Sequence, residues 1–192
     1  MALRLVSGAK QITTELRIAR KEYKNAFHDA AIQSQEAESV SSSAVASWAD
    51  FEQAAPEFAS RVRALLTSRK HLTMATLRSD GSPRISGIEV ELADGQLRIG
   101  SMPGAVKALD LRRDPRVAIH GPTDDPPAGN PSAWRGEAKI AGNAKEVESG
   151  SAAHRFLIDI QEAVITRLND AGSRLVVESW NPDRGYRSIE RD

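Results

Sequence analysis

The chain has 192 residues, with 26 acidic side chains balancing 26 basic ones and no cysteine. Balanced charge leaves no global field that would draw it to nucleic acid or to a membrane surface. The missing thiols exclude disulfides, a cysteine nucleophile and cysteine-held metal, and fit a cytoplasmic protein.

The first residues, MALRLVSGAK, lack the sustained apolar core of a secretory signal, and no later run approaches the ~20 apolar residues that span a bilayer. Residues 1–48 read as an extension, helical or disordered. Ile12, Leu16, Ala19, Tyr23, Ala26 and Ala30 recur at three- and four-residue steps, an amphipathic helix followed by the polar stretch SSSAVAS. Residues 49–192 read as one domain. Pro56 suits the first turn of a helix, and Phe58, Val62, Leu65 and Leu66 form its apolar stripe. Three strands in a meander follow, HLTMATLR, PRISGIEVEL and QLRIGS. They are joined by turns at Ser79-Asp80-Gly81 and Asp94-Gly95, and Asp-Gly between alternating runs is a strong hairpin signal. A helix carrying Lys107 ends before Pro115, and Arg116–His120 is a strand. Residues 121–133, rich in Pro, Gly and Asp, form a loop. A strand over 134–147 precedes a helix over 152–169, with Phe156, Leu157, Ile160, Val164 and Leu168 on one side. Strands over 174–180 and 185–189 complete the chain. The class is mainly β with peripheral helices, six or so antiparallel strands in a small barrel. The histidines, His28, His71, His120 and His154, form no metal-ligand pair at helical spacing, and no Walker or G-x-G-x-x-G loop is present.

The strand-to-helix junction at Gln96–Ile119 carries the most functional information. The strand runs through Gly100 into Ser101, then Pro103-Gly104, then the helix with Lys107. A helix N-terminus presents unpaired N–H groups and the positive end of a dipole. A hydroxyl, a glycine and a lysine placed there form a seat for a phosphate. Read locally, Ser101 can instead be the cap of a surface helix, with Lys107 solvated.

From about Ala55 to Asp192 the chain resembles the pyridoxamine 5′-phosphate oxidase-like family, the FMN-binding split barrels. The resemblance rests on P-E-F-A-S-R-V-R-A-L-L, T-M-A-T-L-R-S-D-G-S-P-R, the L-R-I-G-S…K-A-L-D-L-R-R-D-P-R-V-A block and the ending W-N-P-D-R-G-Y-R-S-I-E-R, in that order. It implies FMN, or the deazaflavin F420, held between the two subunits of a homodimer and acting on a small-molecule substrate. By position it puts Ser86, Gly87 and Ile88 under the flavin ring, and Gly100, Ser101 and Lys107 at the ribityl chain and phosphate. Trp180 and Arg187 correspond to a tryptophan bordering the flavin and an arginine facing the substrate. Ala105 and Val106 replace the polar or basic residues usual before that lysine, which gives Arg84 a possible part in phosphate binding. Gly87, read by itself, is equally a bulge in an ordinary strand, and Trp180 a core residue.

Two departures separate the chain from the oxidase. Glu91 stands where that enzyme has a lysine for its substrate's phosphate, and the 152–169 segment has arginines, Arg155 and Arg167, but no tyrosine. A carboxylate facing a phosphate costs affinity. The expectation is therefore a flavin-dependent oxidoreductase whose substrate is not pyridoxamine phosphate. F420-dependent reduction, or a non-enzymatic flavin- or haem-binding barrel, are the alternatives.

Overall fold

The computed structural model describes residues 45–148 and 152–191; the expected amphipathic helix at Ile12–Ala30 lies outside them. Helix α1 (Trp48–Ala54) opens the described part. Ser47 caps it, its Oγ accepting from the Asp50 N–H while the Asp50 carboxylate accepts from the Ser47 N–H at 2.9 Å. Helix α2 (Pro56–Leu66) follows with Pro56 in its first turn, and buries Phe58, Ala59, Val62, Leu65 and Leu66. The domain's packing begins before residue 49: Ala46 bridges Ile160, and Trp48 is fully buried.

The strands are β1 (Leu72–Leu77), β2 (Pro83–Ile88), β3 (Val90–Ala93), β4 (Gln96–Ser101), β5 (Arg116–His120), β6 (Glu137–Val147), β7 (His154–Leu168), β8 (Leu175–Asn181) and β9 (Gly185–Arg191). All pairings are antiparallel, in the order β2-β1-β5-β6-β7-β4-β3, with β8 on β7 and β9 on β8. The first and last strands of that path, β2 and β3, are joined through Glu89 alone. One bent segment, Pro83–Ala93, therefore supplies both edges and closes the sheet into a barrel. Helix α3 (Val106–Arg113) lies between β4 and β5.

Three expectations are corrected here. PRISGIEVEL is two strands, and the expected meander is two separate hairpins: β2 pairs β1 while β3 pairs β4. The second hairpin turns on Asp94 (φ 51°) and Gly95 (φ 69°), the positive pair a two-residue loop needs. The strand expected from Trp134 begins at Glu137, after a short 3-10 turn at Pro131–Ala133.

The third correction is the largest: the expected helix over 152–169 is the 15-residue strand β7. Phe156, Ile158 and Ile160 alternate into the core, and then the buried set moves to Ala163 and Ile165. The register against β6 shifts at that point, Ala141 facing Glu162 and Gly142 facing Ile160, so Gln161 is an extra residue. A bulge of this kind reverses which face each side chain takes. Across it, the strand's alternation reads as helical spacing. Gly142 accommodates the irregularity, since a Cβ there would collide with the Asp159 carbonyl.

The core fills the barrel and extends under α1 and α2, with Trp48, Phe51, Leu66, Met74, Leu97, Ile119, Ile140 and Phe156 among its largest members. A buried carboxylate holds the β8–β9 hairpin to this body. Glu178 is only 3% exposed, and it accepts from Arg61 on α2 (2.6 and 2.8 Å), Arg167 on β7 (2.9 Å) and Tyr186 on β9 (2.6 Å). Burial pushes its pKa up, but these hydrogen bonds outweigh burial and hold it at about 2. A carboxyl depressed from the ordinary 4.5 contributes stability that is full above about pH 4.5 and is lost as pH falls through about 2. The stability gap between wild type and Glu178→Gln should therefore be largest near neutrality, at about 2–3 kcal/mol. Urea melts at successive pH values should show it closing towards pH 2. A gap independent of pH would contradict this reading.

Candidate functional site

Strands β2, β3 and β4, the start of α3 and the start of β7 surround a cavity of about 600 Å³, a volume suited to a cofactor or small ligand. Five of the sequence-derived residues line it: Gly87, Ile88, Gly100, Ser101 and Lys107. Strand pairing brings them together. The β3–β4 hairpin places Ile99 and Gly100 on one wall, and the end of β2 supplies Gly87 and Ile88 on another. Lys107, one residue into α3, reaches back so that its Nζ donates to the Gly87 carbonyl at 2.7 Å.

Both competing local readings of this wall can be decided. Ser101 is the last residue of β4, and α3 starts five residues later at Val106 with Ala105 as its N-cap. Among the described residues no side chain caps that helix, so its positive end stays open. Ser101 is therefore not the cap. Its Oγ is buried and has no hydrogen-bond partner among the described residues, an arrangement that costs free energy unless a ligand or water completes it. Gly87 pairs with Thr73 in an unbroken register from Leu72–Ile88 to Leu77–Pro83, so it is no bulge. A Cβ added at Gly87 or Gly100 would meet nothing within 4 Å, and each glycine leaves backbone open to close approach.

The other four sequence-derived residues lie outside the cavity lining. Arg84 donates to Asp110 at 2.5 Å. Asp110, 2% exposed on α3, also accepts from Arg113 (2.9 Å) and Thr76 (3.0 Å). Burial raises its pKa, and these donors more than reverse that. The cluster ties α3 to β1 and β2, and Arg84 is committed to it. Ser86 is half-buried on β2 opposite Met74. Trp180 belongs to the core, its ring 4.6 Å from that of Phe51. Arg187 is exposed on β9, paired across the strand with Ser179.

Residues that sequence reasoning missed complete the wall: Arg98 on β4, Met102, and His154 and Arg155 at the start of β7. His154 could not be found while 152–169 read as a helix. As a strand, β7 pairs with β4 and sets His154 opposite Ser101. Glu91 also lines the cavity, 4.0 Å from Arg98, which offsets part of its charge. Among the described residues no helix is long and apolar enough to cross a membrane.

Comparison with known proteins places this geometry in a family. The family model described as pyridoxamine 5′-phosphate oxidase matches residues 58–186, more than half of the chain. Comparison with curated proteins finds no match. Among solved structures, PhzG from Burkholderia lata 383 in complex with tetrahydrophenazine-1-carboxylic acid is similar at 11% identity. It covers 71% of this chain and 89% of that one, with a TM-score of 0.52. A pyridoxamine 5′-phosphate oxidase-related, FMN binding protein from Nostoc punctiforme PCC 73102 is similar at 14% identity, covering 74% and 97%, with a TM-score of 0.49. An F420 reductase is similar at 15% identity, covering 51% and 91%, with a TM-score of 0.40. At these identities the likeness concerns the fold. The split-barrel topology and the family match agree, and the chain belongs to the pyridoxamine 5′-phosphate oxidase family.

Proposed function

We propose that the protein is an FMN-dependent oxidoreductase of this family, acting on a small molecule other than pyridoxamine phosphate. The observation that carries the reading is the unpartnered Ser101 Oγ beside Lys107 and the uncapped start of α3. A hydroxyl donor and a cation line one cavity beside an uncapped helix start, and a phosphate can accept from all three. The bare backbone at Gly87 and Gly100 leaves room for a flat ring system beside that seat. FMN, when bound, supplies the redox chemistry; the chain's own residues bind it, orient it and keep water out. Glu91 disfavours a substrate that carries a phosphate at that wall.

A homodimer belongs to the same proposal. Ile85 on β2 and Met102, Val106 and Leu109 along the start of α3 are all about half exposed or more. Apolar side chains left this exposed suit burial by a second copy. The cytoplasm remains the proposed location.

The purified full-length chain, titrated with FMN and separately with F420 and haem, should take up one FMN per chain with a shifted flavin spectrum. Uptake of F420 with FMN excluded would replace the cofactor while keeping the seat. Binding of none of the three would overturn the proposal.

A further inference from the structure

We propose that His154 is a second, proton-dependent phosphate ligand of this cavity, so that binding of a phosphorylated flavin takes up a proton. The inference rests on the phosphate-seat reading above and deepens it. The family-typical polar or basic positions before the lysine are Ala105 and Val106 here, and Arg84 is committed to Asp110. His154 sits where a replacement is needed. It pairs with Ser101 across β4 and β7, and both side chains line the cavity. Its Nε2, like the Ser101 Oγ, is buried with no hydrogen-bond partner among the described residues. Two buried polar atoms without partners, on residues that face each other across β4 and β7, are what a shared ligand group would satisfy.

The other ring nitrogen fixes what Nε2 can do. Nδ1 lies 3.0 Å from Glu146 Oε1 on β6 and 3.2 Å from an Arg112 nitrogen on α3. Arg112 itself donates to both Glu146 oxygens, at 2.6 and 2.8 Å. Hydrogen bonds from Arg112 and then His154 hold the Glu146 carboxyl at about 2, so it stays ionised at any working pH. The Nδ1 proton is assigned to the Glu146 contact, the shorter of the two, because Arg112 already has both Glu146 oxygens as acceptors. The neutral ring then presents a lone pair at Nε2, which repels a phosphate oxygen. The imidazolium presents N–H instead. Phosphate binding therefore favours protonation at Nε2, with the proton taken from solvent and the positive charge shared with Glu146.

The neighbouring charges set the balance. Glu146 and Arg112 face the ring at Nδ1, and Lys107 and Arg155 stand on the cavity wall. Glu89, Glu91, Arg98 and His71 complete the charged groups around the cavity.

The test compares FMN dissociation constants of wild type and His154→Gln from pH 6 to 8.5. The glutamine amide donates at every pH, and the titration of the FMN phosphate itself cancels in the ratio. We expect wild type to weaken relative to His154→Gln as pH rises, by up to about tenfold per pH unit. A constant ratio overturns the inference while leaving the flavin reading intact. No FMN binding by wild type at any pH overturns both. Calorimetry of FMN binding to wild type at pH 8, in two buffers of different ionisation enthalpy, reads the proton directly and needs no variant. Uptake of a proton supports the inference, and zero uptake overturns it.

Discussion

Lys107→Glu should weaken FMN binding by about a hundredfold or more and leave riboflavin binding much less affected. Lys107 bridges α3 and the end of β2 through the Gly87 carbonyl, and its charge faces the same cavity as the Ser101 Oγ. A glutamate there removes the cation and sets a carboxylate against both the phosphate and the Gly87 oxygen. The side chain is only partly buried, so the fold should survive and the loss should be one of affinity. Flavin fluorescence titrations of the two proteins decide it. Equal losses for FMN and riboflavin would move Lys107 from the phosphate to the ring.

Asp110→Ala should cost about 3 kcal/mol of stability, or roughly 6–12 °C in Tm. Asp110 is a buried carboxylate accepting from Arg84, Arg113 and Thr76, and those bonds join α3 to β1 and β2. Removing it leaves two guanidinium groups and a buried hydroxyl without their acceptor. The estimate sits at the low end for a broken buried pair because Arg84 and Arg113 keep 26% and 41% exposure. Asp110→Asn keeps one acceptor oxygen and should lose about half as much. Thermal melts read both. A loss within 0.5 kcal/mol, the ordinary range for a surface substitution, would show that the cluster does not anchor the helix.

The two Asp-Gly turns and helix α2 were legible because their signals are local. Asp94-Gly95 needs only two residues with positive φ, and Pro56 and the uninterrupted stripe from Phe58 to Leu66 need only one helix. The barrel's closure was not legible. PRISGIEVEL alternates through Glu89 with no turn signal, and only pairing with distant β1 and β4 reveals two strands. β7 was misread for a related reason. The bulge at Gln161 moves the buried face, and Leu157, Ile160, Val164 and Leu168 then mimic a helical stripe. Its richness in Ile and Val was the signal that favoured a strand.

The site divides along the same line. Gly87, Ile88, Gly100, Ser101 and Lys107 come from two short segments, and the structure brings them to one cavity. His154 and Glu146 depend on the β6–β7 and β4–β7 registers, which no local pattern states. Trp180 turned out to pack in the core against Phe51, and Arg84 to answer Asp110. Tryptophan and arginine near a motif carry too little information to separate a ligand contact from a structural one.

A cavity that seats a phosphorylated flavin should separate FMN from riboflavin. Parallel equilibrium titrations of the full-length protein with FMN and riboflavin test it most directly. The protein should bind one FMN per chain, at least about tenfold more tightly than riboflavin, since a phosphate seat contributes at least one charge-assisted hydrogen bond. Equal affinity for the two, or no binding of either, would contradict it.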